Sequence, residues 1–241
     1  MRIKADYELN TNWLIKDYRK IFVSLIKNIF TTFDPLLINQ LYGTLESKRK
    51  INKPFTFAVY FPDFKKIDAD KMICGNKVNL IFSSNDEFLL TAFYNGLKSQ
   101  SKRVIGTNDP IEFNLKYVSL LPNHSIKGNK ILFKTLSPIL INKENTDLYI
   151  DPTNTEFDLY FKRSIINQAT TFNVPCRIED IAYEIKSMKK LPLSHYHQTM
   201  TSWLGEFILE APVEVLRLVY DTGIGVRRSQ GFGMLEVIKT F

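Results

Sequence analysis

The chain has 241 residues, 44% of them hydrophobic and 24% charged, with 10 Gly, 10 Pro, 2 Cys and a net charge of +7. That length and balance allow one large or two small packed domains, and they exclude a disordered chain, a collagen-like chain and a disulfide framework. The excess of 32 Lys and Arg over 25 Asp and Glu points toward a polyanionic partner, a balance that lysine-rich soluble proteins also share.

Residues 2–9 alternate, with Ile3, Ala5, Tyr7 and Leu9 on one face and Arg2, Lys4, Asp6 and Glu8 on the other, which predicts a half-buried strand. From Asp17 the period changes: Tyr18, Ile21, Phe22, Leu25, Ile26 and Ile29 form one helical stripe. Asp34-Pro35 reads as an N-cap and first-turn proline, opening a short helix through Leu37 and Leu41 that fades into the basic run 46–50. Residues 55–61 predict a strand, and 72–74 with 78–82 a hairpin around Gly75-Asn76. Asn85-Asp86-Glu87 caps a helix through Leu89, Leu90, Phe93 and Leu97, and 111–121 is a further strand.

Pro122-Asn123 marks a break, so domains of 1–122 and 123–241 are expected. Beyond it, 131–133 and 138–141 read as strands and 154–172 as a long helix carrying Phe157, Tyr160, Phe161, Ile165 and Ile166. Residues 178–185 and 201–209 read as strands, with Lys186, Lys189 and Lys190 in a tail between them. A helix over 212–220 and a strand over 234–238 close the chain. Each half therefore reads β-α-β-β-α-β, and the expected fold is α+β with two tandem ferredoxin-like domains.

Cys74 and Cys176 are too few for a four-ligand zinc site, and no cofactor or metal is expected. Charges at Arg2, Lys4 and Asp6 stand where a signal peptide needs an apolar run. No apolar stretch approaches the roughly 20 residues of a membrane span. The expectation is a cytoplasmic protein with no membrane partner.

The segment 223–233, Gly-Ile-Gly-Val-Arg-Arg-Ser-Gln-Gly-Phe-Gly, packs four glycines and two arginines into one loop. A dinucleotide fingerprint would need a glycine at Arg228, a strand before and a helix after; here the helix precedes and the strand follows. No Gly-Lys-Ser/Thr follows, so the Walker pattern fails too. What remains is a loop in which Gly223, Gly225, Gly231 and Gly233 let backbone N–H groups approach an anion and Arg227 and Arg228 fork onto phosphate. The plainer alternative is a glycine-rich turn with solvated arginines.

This loop, continued by Met234, resembles the glycine-rich loop of the CRISPR-associated endoribonucleases that cut repeat RNA into guide RNAs. Lys134-Thr135-Leu136-Ser137-Pro138-Ile139, Trp203-Leu204-Gly205-Glu206-Phe207 and Lys53-Pro54-Phe55-Thr56-Phe57 are similar to further strands of that family. The resemblance covers essentially the whole chain and implies tandem ferredoxin-like domains of RNA-recognition type. It implies metal-independent cleavage of precursor CRISPR RNA, by attack of the 2′-hydroxyl beside the scissile phosphate, leaving a 2′,3′-cyclic phosphate. RNA carries its own nucleophile, so the protein needs a base, an acid and cations for the phosphorane charge. The implied partner is CRISPR repeat RNA, with a homodimer or other CRISPR-associated subunits as further partners and antiviral defence as the setting.

Carried onto this chain, the resemblance gives Lys53 as the match to the family's lysine, with Tyr42 in place of its histidine and Lys27 in place of its first-helix aromatic. Lys48, Arg49 and Lys50 would clamp phosphate, or form a solvated loop; Tyr42 has the alternative of a packed aromatic at a helix end. His195 and His197 are the alternative proton carriers; in a strand they would share a face with Tyr196 opposite, and they lack a third metal ligand. His124 falls at the domain break and should be exposed. The competing functions are a non-catalytic binder or structural subunit of the same family, and a single-strand RNA-binding module unrelated to CRISPR.

Overall fold

The computed structural model describes residues 1–43, 52–68, 70–107, 109–122, 124–144, 146–196 and 198–241. Residues 1–54 with 59–122 form one compact unit, and 55–58 with 123–241 form another.

The first half of the chain runs β1 (Arg2–Leu9), β2 (Trp13–Ile15), α1 (Arg19–Phe33), α2 (Pro35–Tyr42), β3 (Phe55–Tyr60), β4 (Lys66–Asp68), β5 (Lys71–Ile73), β6 (Lys77–Ser84), α3 (Glu87–Ser99), β7 (Lys102–Ile105) and β8 (Ile111–Leu121). The main sheet has the order β3-β6-β1-β8-β7. Ile3, Ala5, Tyr7 and Leu9 are buried on one face of β1, as the alternation predicts. Phe82 of β6 stacks on Phe93 of α3 with centroids 4.1 Å apart, and Phe30 of α1 meets the Phe82 ring at 5.9 Å. Fully burying each such ring stabilises the fold by about 1.5–3 kcal/mol. Both predicted caps form: the Leu36 N–H donates to Asp34 Oδ1 (2.9 Å) and the Leu89 N–H to Asp86 Oδ1 (3.1 Å).

The second half runs β9 (Lys130–Thr135), β10 (Ile141–Asn142), β11 (Tyr149–Ile150), α4 (Phe157–Thr171), β12 (Ala182–His195), β13 (Gln198–Glu210), α5 (Val213–Thr222) and β14 (Leu235–Thr240). Its four-stranded sheet has the order β12-β13-β9-β14. Trp203 and Phe207 of β13 pack edge-on against Phe157 and Phe161 of α4, each pair at 6.0 Å. The two βαβ units of each half interleave: β3-β6-β1-β8 from β1-α1-β3-β6-α3-β8, and β12-β13-β9-β14 from β9-α4-β12-β13-α5-β14. Both are the ferredoxin-like arrangement, and the α+β expectation holds.

Four details differ from the sequence reading. Residues 72–74 and 78–82 do not form a hairpin. β5 lies between β2 and β4 in a separate three-stranded sheet, while β6 pairs with β1. The Asn12 carbonyl accepts the N–H groups of Cys74 (3.0 Å) and Gly75 (3.1 Å), and Gly75, at φ 70°, turns the chain from one sheet toward the other. Residues 138–141 are not a strand; Ile139 makes one bridge to Trp203, and β10 begins only at Ile141. Pro138 has no N–H to give a ladder. Residues 178–180 form a 3-10 turn held by the Arg177 N–H on the Asp180 carboxylate (2.9 Å). Finally, Lys186, Lys189 and Lys190 are no tail. They lie within β12, an edge strand whose outer positions tolerate lysine.

Candidate functional site

In the first unit, Asp34 turns the chain from α1 into α2 in extended conformation, with Pro35 opening the new helix. α2 ends at Tyr42, where Gly43, at φ 77°, takes over and its N–H returns to the Asn39 carbonyl (2.9 Å). This brings the Tyr42 ring beside α1. The Lys27 Nζ lies 4.3 Å from the ring centroid and the Lys53 Nζ 4.4 Å from it. Each cation is drawn to the negative ring face, by about 0.5–1 kcal/mol at an exposed site. Burial, and secondarily the Lys27 charge, lowers the Lys53 pKa from its ordinary value. A lysine so placed surrenders its proton more readily, and the paired charges can neutralise an oxyanion. Lys48, Arg49 and Lys50 lie outside the described residues.

In the second unit, residues 223–233 join α5 to β14, in the order the sequence predicts. Gly223, Gly225, Gly231 and Gly233 all have positive φ, as does Arg227 at 57°. A Cβ on Gly233 would overlap the Ile224 carbonyl oxygen, and one on Gly225 that of Leu140. The glycines therefore fold the loop onto its own frame. The N–H groups of Ile224, Val226 and Gly233 donate to the carbonyls of Gly233 (2.8 Å), Leu140 (2.9 Å) and Pro138 (2.8 Å), and that of Gly231 to Arg228 (3.1 Å). These four amides face the protein and not an incoming anion, because the close backbone approaches place carbonyls in front of them.

The arginine side chains of the loop are also bound. Arg227 donates from Nε to the Tyr149 hydroxyl (2.8 Å), from Nη2 to Gln198 (2.5 Å) and from Nη1 to Gln230 (3.4 Å). Arg228 Nη1 donates to the Gly225 carbonyl (2.9 Å), and burial pushes its pKa down to about 10. Sequence reasoning missed Tyr149 and Gln198, since no local pattern announces partners so far apart in the chain, whereas Gln230 lies within the loop itself.

His195 is wholly buried, with Nε2 3.2 Å from Gln230 Oε1 and its ring 5.4 Å from that of Phe232. β12 ends at His195 and Tyr196, at φ 49°, is a turn residue, so the alternating strand face expected through Tyr196 is not formed; His197 lies outside the described residues. His124 is exposed. Opposite the core face, the central strands present Lys4, Asp6, Glu8, Asn79 and Ile81 in one sheet and Leu132, Lys134, Leu204 and Glu206 in the other. On the same face of the first sheet Tyr117 of β8, paired with Asp6 and exposed, offers one ring on which a base can stack.

Residues 121–237 match the family model for the C-terminal region of CRISPR associated protein Cas6. No curated protein matches the sequence. Among solved structures, the chain is similar to a Cas6-related protein from Pyrococcus furiosus (TM-score 0.81, 19% identity, covering 100% of this chain and 99% of that one). It is also similar to a RAMP protein binding different RNA substrates (TM-score 0.79, 20% identity, 99% and 100%) and to Thermus thermophilus Cas6 (0.58, 16%, 99% and 98%). At these identities the structural likeness speaks for the fold, and the family assignment rests on the sequence of the second half. The match of residues 121–237 to the C-terminal region of Cas6, with a fold shared over the whole chain, supports a Cas6-family protein.

Proposed function

We propose that this protein binds CRISPR repeat RNA and cuts it without a metal, by 2′-hydroxyl attack on the adjacent phosphate. The observation that carries the reading is the meeting of Lys27, Tyr42 and Lys53, three residues from separate segments, with both ammonium groups against one phenol ring. In this reading Lys53 protonates the leaving 5′-oxygen or neutralises the phosphorane. Tyr42 and Lys27 act as base or phosphate ligands. The loop 223–233 holds the RNA backbone, and the run 48–50 clamps a further phosphate. The match of residues 121–237 to the C-terminal region of Cas6 supports RNA as the ligand, as does the likeness to a protein that binds RNA substrates. No helix among the described residues is long and apolar enough to cross a membrane. The reading places the protein in the cytoplasm, in antiviral defence, alone, as a homodimer or with other CRISPR-associated subunits.

The test is incubation of the protein with transcript of the genomically adjacent repeat in EDTA. Cleavage should persist and leave a 2′,3′-cyclic phosphate, and a single 2′-deoxy nucleotide at the cut should abolish it while binding survives. Cutting of the substituted RNA would exclude the mechanism. Tight binding with no cleavage at any pH would instead identify a binder that has lost the chemistry, the reading that Tyr42 in the histidine position favours.

A further inference from the structure

The two adjacent arginines of the glycine loop stand in different surroundings. Each of the three guanidinium nitrogens of Arg227 donates to a neutral side chain: Tyr149, Gln198 and Gln230. Gln230 Oε1 also meets His195 Nε2. His195 and Gln198 are paired across the end of the β12–β13 hairpin. One residue, its backbone held in left-handed conformation, thus fastens the hairpin tip and β11 to the loop through its side chain.

Arg228 has no such cage. Its Nη1 meets the Gly225 carbonyl, and its Nε is buried with no partner among the described residues. Burial lowers its pKa, and no charged group among the described residues adds to that shift. A part-buried guanidinium without a counter-charge is costly, and an arriving oxyanion relieves that cost. Its forked donors match phosphate geometry.

We propose that the two arginines divide the work: Arg227 is a positioning residue that anchors the hairpin tip to the loop, and Arg228 is the loop's ligand for an RNA phosphate. The second half of this statement rests on the RNA-binding reading above.

The test uses the full chain, a fluorescein-labelled oligouridylate and a salt titration. Arg228→Gln should weaken binding and reduce the slope of log affinity against log salt by about 0.7, one single-strand phosphate contact. Arg228→Lys keeps the charge and loses the fork, so affinity should fall with the slope intact; it carries the test if the Gln variant does not fold. Arg227→Gln should leave the slope unchanged and speed amide exchange over 191–196 and 198–202 by about tenfold or more, as an unanchored hairpin end opens locally. Equal slope losses in the two Gln variants, with exchange unchanged in Arg227→Gln, would overturn the division. An unaltered slope in Arg228→Gln, or unaltered affinity in Arg228→Lys, would overturn the ligand role. If the wild type binds no oligouridylate, the RNA reading fails, and thermal unfolding with inorganic phosphate decides on Arg228. Stabilisation present in the wild type and lost in Arg228→Gln keeps it as an oxyanion ligand, and no stabilisation in either removes it.

Discussion

The ammonium of Lys53 stands 4.4 Å from the centre of the Tyr42 ring, so that a residue just before β3 and the last residue of α2 form one chemical unit. Lys27, at 4.3 Å from the same ring, adds a second cation. If this unit handles the proton, Tyr42→Phe keeps the ring and both cation contacts but removes the hydroxyl. Cleavage should fall roughly 100- to 10,000-fold with RNA affinity retained. Lys53→Ala should cost a comparable factor, and the double variant little more, because groups acting as a unit are not additive. Single-turnover rates on repeat RNA measure all three. A silent Tyr42→Phe with a crippled His195→Ala would move the chemistry to the histidine.

The pH dependence follows from the lowered Lys53 pKa. As the acid, Lys53 must be protonated, so the rate should decline above a pKa that lies below the ordinary lysine value of about 10.4. Removing the neighbouring charge with Lys27→Met should shift that decline to higher pH. A decline that does not move would mean that another group titrates. A histidine-driven reaction would instead bend near about 6.5.

The same shift predicts a stability effect. The folded pKa of Lys53 lies below the unfolded one, so between the two values the unfolded chain holds the extra proton. Stability then rises with pH across that window. Lys53→Met removes a partly desolvated cation beside Lys27 and should raise the melting temperature at neutral pH while abolishing cleavage, a trade common at functional sites. A lower melting temperature would show that the Tyr42 contact outweighs the desolvation.

Asp34 tests how the site is built. Its carboxylate caps the first turn of the helix that ends in Tyr42. Asp34→Ala should cost about 1 kcal/mol in denaturant unfolding, whereas Asp34→Ser, which restores a capping oxygen, should recover most of it. Cleavage should follow the same order, since fraying of α2 displaces the ring from both lysines.

Gly233 tests the loop. At φ 71° and against the Ile224 carbonyl, it has no room for a Cβ. Gly233→Ala should destabilise the protein by about 2 kcal/mol or more, read by thermal or denaturant unfolding. Near-neutral stability would mean that the backbone there relaxes freely.

What the sequence determined by itself was local. The alternation of Ile3, Ala5, Tyr7 and Leu9 fixes which face of β1 is buried, because successive strand side chains must point to opposite sides. Asp34-Pro35 and Asp86-Glu87 fix two helix starts, because the capping oxygen and the amide it satisfies lie within three residues. The element order read this way was enough to expect ferredoxin-like halves. Tertiary structure decided what depends on partners distant in the chain. Gly75-Asn76 announces a turn, but only the free edge of β1 makes β6 its partner instead of β5. Lysines 186, 189 and 190 break an apolar pattern, yet pairing with β13 carries β12 through them. The glycine loop could be read as a string of open amides; folded, those of Ile224, Val226, Gly231 and Gly233 are turned onto carbonyls of Pro138, Leu140 and the loop itself. Arg227 and Arg228 are neighbours with the same chemistry in sequence. They differ in the fold because Tyr149 and Gln198 arrive beside one and not the other, a consequence of hydrogen bonds that no local spacing encodes.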